Sequence, residues 1–214
     1  MGSAVNKQFL PLRGKPIIIH TLERFQLCPD VGEIIVAVQA ASRTQMESLI
    51  KEFRLTKATK IVEGGKRRQD SVRNALSHVD PAIDIVLVHD AVRPFIRQQT
   101  IKEAIEKARS HSAAVVAVRA KDTVKIGGPD GRIKETLDRS LLWLAQTPQA
   151  FMKKLLVEAY AKAAREKFEA TDDASLVERM SVFPAIVEGT PDNIKITTPD
   201  DLDVAELLAR RFKD

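Results

Sequence analysis

The stretch Ile83-Asp84-Ile85-Val86-Leu87-Val88-His89-Asp90-Ala91-Val92-Arg93-Pro94 decides the fold. Ile85 to Val88 run apolar without alternation, the pattern of a strand buried on both faces of a parallel sheet. The run stops at His89-Asp90, and Arg93-Pro94 breaks the chain before the next helix. In open α/β sheets the ligand crevice lies beyond the carboxyl ends of the strands. This strand end therefore delivers a carboxylate, a small residue and an arginine to the place where phosphates and their metal would sit. A plain strand end with a solvated Asp and Arg is the alternative at this point.

On the N-terminal side, Met1 to Asn6 is a short polar piece, and Arg13-Gly14-Lys15-Pro16 reads as a turn. Pro16 is placed to open a helix from Ile17 to about Leu27. Glu33 to Val38 reads as a strand, and Ser42 is a candidate cap for a helix to about Phe53. Thr59 to Val62 is a short strand running into Glu63-Gly64-Gly65, followed by a helix from about Gln69 to His78. On the C-terminal side, Thr100 and Glu103 suggest a capping box for a helix to about Ser110. Ala113 to Val118 is another buried strand. This alternation predicts an α/β doubly wound, mostly parallel sheet.

The rhythm then changes. Asp122 to Lys125, Gly127-Gly128-Pro129-Asp130-Gly131 and Ile133 to Leu137 read as a hairpin. Residues 121–140 are thus expected to form an arm projecting from a single domain of 1–214, a shape suited to pairing with a second subunit. Gln146-Thr147-Pro148-Gln149 reads as a constrained polar turn, and Lys153 to Phe168 as a helix with Leu155, Leu156, Ala159, Tyr160 and Ala163 on one stripe. Thr171-Asp172-Asp173 caps a shorter helix to about Met180. Val182 to Val187 and Ile194 to Ile196 read as strands. Thr198-Pro199-Asp200-Asp201 opens the last helix.

Composition narrows the functional classes. Lys and Arg number 34 against 29 acids in 214 residues, for a net charge of +5. Lys66-Arg67-Arg68 is the only tight basic run, so anionic small substrates explain the surplus better than nucleic acid does. The single cysteine, Cys28, excludes an internal disulfide and a cysteine zinc cluster, and it suits the reducing cytoplasm. No stretch approaches the ~18 apolar residues of a membrane span. No Ser-His-Asp grouping, HExxH or CxxC is present.

Several residues could carry chemistry. Gly64-Gly65 after a strand can bring backbone amides close to a ligand, and Ser71 sits in the following helix near the same crevice. A tight turn and a surface serine are the plainer readings. Lys7, Arg93, Arg139 and Lys195 lie at element edges. Phosphoryl transfer asks for cations around the transferring phosphorus and an aligned nucleophile. His89 reads as orienting its turn by a hydrogen bond rather than as a catalyst.

Together the pieces resemble a family, the 2-C-methyl-D-erythritol 4-phosphate cytidylyltransferases of the non-mevalonate isoprenoid route. The resemblance rests on Lys7-Gln8-Phe9-Leu10, Gly64-Gly65 with Arg68 and Asp70-Ser71-Val72, and His89 to Pro94. It continues through Asp122-Thr123-Val124-Lys125, Thr136 to Arg139, Gln146-Thr147-Pro148-Gln149, Thr171-Asp172-Asp173-Ala174 and Asp192 to Thr197.

The resemblance implies a Rossmann-like nucleotidyltransferase fold, a β-arm clasping a second subunit, and condensation of CTP with methylerythritol phosphate using Mg²⁺. It gives Gly65, Ser71 and Ala91 to the cytidine, Arg68 to bracing their loop, and Asp90 to the ribose, phosphates and metal. Lys7 would neutralise the CTP phosphates, and Lys195 and Arg139 would place the attacking phosphate, Arg139 from across the dimer. Arg93, Thr123 and Thr147 would bind the sugar-alcohol phosphate.

The family begins with a strand and a glycine-rich loop bearing a catalytic arginine, just before the segment matching Lys7. By comparison this chain lacks both, with Met1-Gly2 resembling the loop's tail, so poor solubility and low activity are expected of it. Ribitol phosphate cytidylyltransferases share much of the pattern, but Thr136-Leu137-Asp138-Arg139 with Trp143 is more similar to the methylerythritol enzymes. A nonenzymatic nucleotide-binding protein would not need Lys7, Arg139 and Lys195 together.

Overall fold

A computed structural model describes residues 6–212. Met1-Gly2, compared above with a loop tail, lie outside the described residues. After a 3₁₀ turn at Lys7–Phe9, the elements run β1 (Pro11–Leu12), β2 (Lys15–Pro16), α1 (Ile17–Gln26), β3 (Ile34–Val38), α2 (Arg43–Glu52), β4 (Ala58–Glu63) and α3 (Arg68–Leu76). They continue as β5 (Ile85–Val88), α4 (Gln98–His111), β6 (Ala113–Arg119), β7 (Lys125–Gly127), β8 (Ile133–Thr136) and β9 (Trp143–Met152). The chain closes with α5 (Lys153–Glu166), α6 (Asp173–Glu178), β10 (Ala185–Glu188) and α7 (Pro199–Arg211).

Side chains alternate across the sheet and are covered on both faces, which is why its strands read as continuous apolar runs. Val88, Ala113 and Phe151 pack with Leu156, Ala159 and Tyr160 of α5 and with Leu176 and Val177 of α6. On the opposite face Ala114, Val116, Ala150 and Val187 meet Ala104 and Ala108 of α4. The layering is α/β and doubly wound, as expected. Strand direction is more mixed. The four-stranded sheet runs β10-β6-β9-β5, with β10 parallel to β6 but β9 antiparallel to both β6 and β5. β3 and β4 form a separate parallel pair.

Several expectations need correction. First, the run Ile85 to Val88 is not a central parallel strand: among the described residues β5 is an edge strand, hydrogen-bonded antiparallel to β9 alone. Its other edge faces β3 across a cavity of about 410 Å³, lined by Leu22, Phe25, Val36, Val38, Val86 and Val88. Second, Gln146 to Gln149 is no turn but lies inside β9. Pairing jumps from Val115–Gln149 to Ala117–Ala145, so Gln146, Thr147 and Pro148 bulge against Val116. A bulge is what admits a proline to a central strand.

Third, α4 begins two residues before Thr100, with Arg97 at its N-cap. Thr100 is buried in the first turn and Glu103 accepts from Gln99, so no capping box forms there. Ser42 likewise precedes α2 without capping it, its hydroxyl instead accepting from Asn6 at 2.9 Å. Fourth, Ile194 to Ile196 is irregular, held by the Ile196 N–H on the Val92 carbonyl at 3.0 Å.

Other expectations stand. The turn at Arg13-Gly14 links β1 to β2 with positive φ at both residues, 52° and 77°. Thr198 and Asp201 form the capping box of α7. β7 and β8 pair antiparallel as the arm, and every residue in both strands is exposed. No helix among the described residues is long and apolar enough to cross a membrane.

Candidate active site

Asp90 sits where β5 ends, its side chain 12% exposed, with three cations on its two oxygens. Arg68 Nε is 3.4 Å from Oδ1, while Arg93 Nε at 3.3 Å and Lys195 Nζ at 3.1 Å share Oδ2. Burial works against the Asp90 charge, but Lys195, Arg68 and Arg93 outweigh it and hold the carboxyl below its usual range. Lys7 reaches the same segment as Lys195, donating to the Thr197 carbonyl at 2.6 Å. Three cations thus converge on Asp90, Lys7 is held two residues from Lys195, and Asp173 on α6 is a second carboxylate on Arg68. The surplus positive charge suits a polyanionic ligand.

The glycine turn borders this cluster. A Cβ on Gly65 would lie 2.2 Å from the Asp70 Cβ and 3.1 Å from its carbonyl carbon, so only glycine lets α3 begin so close. The Gly65 N–H donates to Ser71 Oγ at 3.0 Å, and Arg68 opens α3 between them. Gly65, Ser71 and Arg68 are therefore one unit. Arg68, Ser71, Asp90 and Ala91 also line the polar end of the cavity between β3 and β5. Ala91 is held from below, its carbonyl accepting from Thr21 Oγ1 at 2.9 Å.

The β9 bulge supplies the other wall. Thr147 Oγ1 accepts the Asp90 N–H at 3.1 Å. Buried Asn193 donates through Nδ2 to Gln146 Oε1 and to the Thr147 carbonyl, both at 3.0 Å. Arg93 in turn donates to the Asn193 carbonyl at 2.7 Å. Thr147, Asp90, Arg93 and the segment carrying Lys195 are thus locked together by hydrogen bonds spanning much of the chain.

His89 has the orienting role expected of it. Its Nε2 donates to the Arg93 carbonyl at 3.1 Å, and burial lowers its pKa to about 4, so the ring is neutral near pH 7.

Two expected residues stand apart from this cluster. Arg139 is exposed at the base of the arm and donates to the Lys121 carbonyl at 2.8 Å, with no contact to the Asp90 cluster among the described residues. Thr123 is exposed in the connection from β6 to the arm. The sequence reading also missed Gln149, Asn193 and Asp173 as site-builders. Each is polar yet 1% exposed, a combination that only the folded chain reveals.

No group of three or more His, Cys, Asp or Glu side chains able to hold a metal occurs among the described residues. Asp90 offers a carboxylate oxygen at the strand end. That donor set fits Mg²⁺ bound largely through substrate phosphates, its usual mode with nucleotides.

A family model described as "IspD: 2-C-methyl-D-erythritol 4-phosphate cytidylyltransferase" matches residues 1–211. The chain belongs to that family. It is 45% identical to the 2-C-methyl-D-erythritol 4-phosphate cytidylyltransferase of Syntrophus aciditrophicus (strain SB), across 99% of this chain and 91% of that protein. It is 47% identical to the enzyme of that name from Symbiobacterium thermophilum, across 97% of this chain and 86% of the relative. In structure it is similar to 4-diphosphocytidyl-2C-methyl-D-erythritol synthase from Anaerococcus prevotii, with a TM-score of 0.89 at 30% identity, covering 98% of this chain and 92% of the other. As a cytidylyltransferase family member it carries its glycine turn and Asp90 strand end on a doubly wound sheet.

Proposed function

We propose that the chain joins CTP to 2-C-methyl-D-erythritol 4-phosphate. A phosphate oxygen of the sugar alcohol attacks the CTP α-phosphorus in line. The bond from the α-phosphorus to the bridging oxygen breaks, and pyrophosphate leaves. No protein nucleophile is needed, because positioning and charge do the work. The observation that carries this reading is the gathering of Arg68, Arg93 and Lys195 on Asp90, with Lys7 on the Thr197 carbonyl two residues from Lys195, beside a turn that only glycine can make.

Gly65, Ser71 and Ala91 face the cytidine, with Arg68 bracing their loop. Lys7 and Lys195 meet the charge that builds on the transferring phosphoryl group. Arg93, Thr147 and Thr123 hold the acceptor, and Arg139 places its attacking phosphate from a second subunit. A homodimer clasped through the β7–β8 arm meets that last requirement, and the exposed apolar residues Ile126, Ile133, Leu141 and Leu144 on and beside the arm suit such a contact. Mg²⁺, held by Asp90 together with the nucleotide phosphates, would neutralise charge on the leaving pyrophosphate. We place the reaction in the cytoplasm, where the lone Cys28 remains a thiol.

The test is pyrophosphate release from CTP with methylerythritol phosphate or ribitol phosphate as acceptor, with Mg²⁺ and with a chelator. Release with the first acceptor alone, abolished by the chelator, is the expected result. Preference for ribitol phosphate would overturn the substrate assignment.

A further inference from the structure

Asp173 is a buried carboxylate with no part in the assignments above. It occupies the first turn of α6 and is 1% exposed. A carboxylate in such a place is costly unless paired and hydrogen-bonded. Both of its oxygens are engaged. The Tyr160 hydroxyl on α5 donates to Oδ1, and Arg68 Nη2 lies 2.7 Å from Oδ2. Its backbone is pinned as well, since Gln149 Oε1 on β9 accepts the N–H groups of Asp173 at 3.1 Å and Ala174 at 3.0 Å. Three elements therefore hold this carboxylate still, and it faces one cation.

That cation spans two carboxylates. The Arg68 guanidinium meets Asp173 through Nη2 and Asp90 through Nε. Without Asp173, Arg68 would be free to follow Asp90 or the solvent, and the start of α3 would follow Arg68. Burial works against the Arg68 charge, and Asp173 together with Asp90 outweighs it, raising its pKa. Tyr160 contributes by occupying Oδ1, which leaves Oδ2 to the guanidinium. The phenol is a secure donor, because burial and the neighbouring Asp173 push its pKa up.

We propose that Asp173, oriented by Tyr160, is a positioning residue that holds Arg68 between α6 and Asp90 and thereby sets the affinity of the glycine turn for the nucleotide. The proposal rests on the reading of that turn as the CTP site, and two independent readouts separate the two ideas. The first is kinetic. Asp173→Asn should raise KM for CTP about tenfold while kcat changes less than about threefold, as expected when one buried ion-pair partner is lost. Tyr160→Phe should move KM in the same direction by a smaller factor. In an Arg68→Ala background neither change should raise KM further, because the residue through which they act is gone. Equal increments in both backgrounds would show that Asp173 serves α6 alone and overturn the proposal.

The second readout needs no substrate. The Arg68 Nη–H resonances, assigned by their loss in Arg68→Lys, should be protected from solvent exchange in the parent and lose that protection in Asp173→Asn and Tyr160→Phe. Protection unchanged in both variants overturns the proposal, whatever the kinetics. Protection lost, in a protein that does not use CTP, would instead overturn the reading of the turn. Where Asp173→Asn does not fold, Tyr160→Phe carries both measurements, since it keeps the aromatic ring in the core.

Discussion

The two sides of Asp90 are built differently. On the β9 side, the backbone of Asp90 is tied to Thr147, Thr147 to Asn193, and Asn193 to Arg93. On the β3 side, the edge of β5 that is unpaired among the described residues looks across a cavity of about 410 Å³ toward the similarly unpaired edge of β3. One wall of the site is braced by hydrogen bonds that close within the chain. The other borders apolar space between two strand edges, a position in which unpaired backbone invites pairing. The contrast teaches that the cations at the site are positioned from β9, α6 and the Asn193 segment, while the slot side leaves room for more.

The largest effect should come from filling that slot. A version of the chain carrying an additional N-terminal strand and glycine-rich loop, of the kind the resemblance implies, can place the strand between β3 and β5 and the loop's amides at the phosphates. One preorganised donor is worth about 10²–10³ in rate, and a loop of them should be worth at least that. Pyrophosphate release by the two versions, assayed side by side, checks this. Equal rates would mean that the braced wall suffices alone.

Arg139 tests the comparison from the arm. Arg139→Ala and Lys195→Ala should each lower turnover by about 10²–10³, with CTP binding largely retained in the former. Mixed and allowed to exchange subunits, the two inactive variants should recover about a quarter of the parent rate, because each heterodimer contains one site with both cations. No recovery would place Arg139 in its own subunit's site. Deleting Gly127 to Gly131 should yield monomers by sedimentation and remove the recovery.

His89 stands at the junction of the two sides, lining the cavity while hydrogen-bonded to Arg93. Its pKa falls from 6.5 to about 4 on burial. The unfolded chain therefore binds the proton more readily, so stability is full above about pH 6.5 and is lost as the pH falls toward 4. The loss is up to about 3 kcal/mol. Melting temperatures measured between pH 7 and 4.5 should fall steeply for the parent and less steeply for His89→Asn. Parallel slopes would remove His89 as the cause.

What was legible in the sequence follows the same division. Helices with a strong apolar stripe, the β6 run and the Thr198-Asp201 cap were readable because their causes are local. Gln146-Thr147-Pro148-Gln149 was misread as a turn because polar residues and a proline signal one locally. They lie inside a strand only because Asn193, Thr190 and Asp172, far along the chain, meet their polar groups. The apolar run of β5 was correctly taken as covered on both faces, yet nothing in it reports which strand lies beside it. Asp173 was visible only as a helix-capping acid, since its tie to Arg68 crosses more than a hundred residues.

The smallest expected effect tests the slot itself. Val116 is fully buried between the sheet and α4, and Val116→Ala should cost about 2 kcal/mol through lost burial and a new cavity. Val86 is only partly buried and lines the existing cavity, so Val86→Ala removes fewer contacts and should cost about 1 kcal/mol. In the extended version a strand would cover Val86, and the two costs should converge. Denaturant midpoints of both variants in both versions measure this. Equal costs already in the 214-residue chain would mean that β3 and β5 close against each other in solution, and the two walls of the site would then be alike.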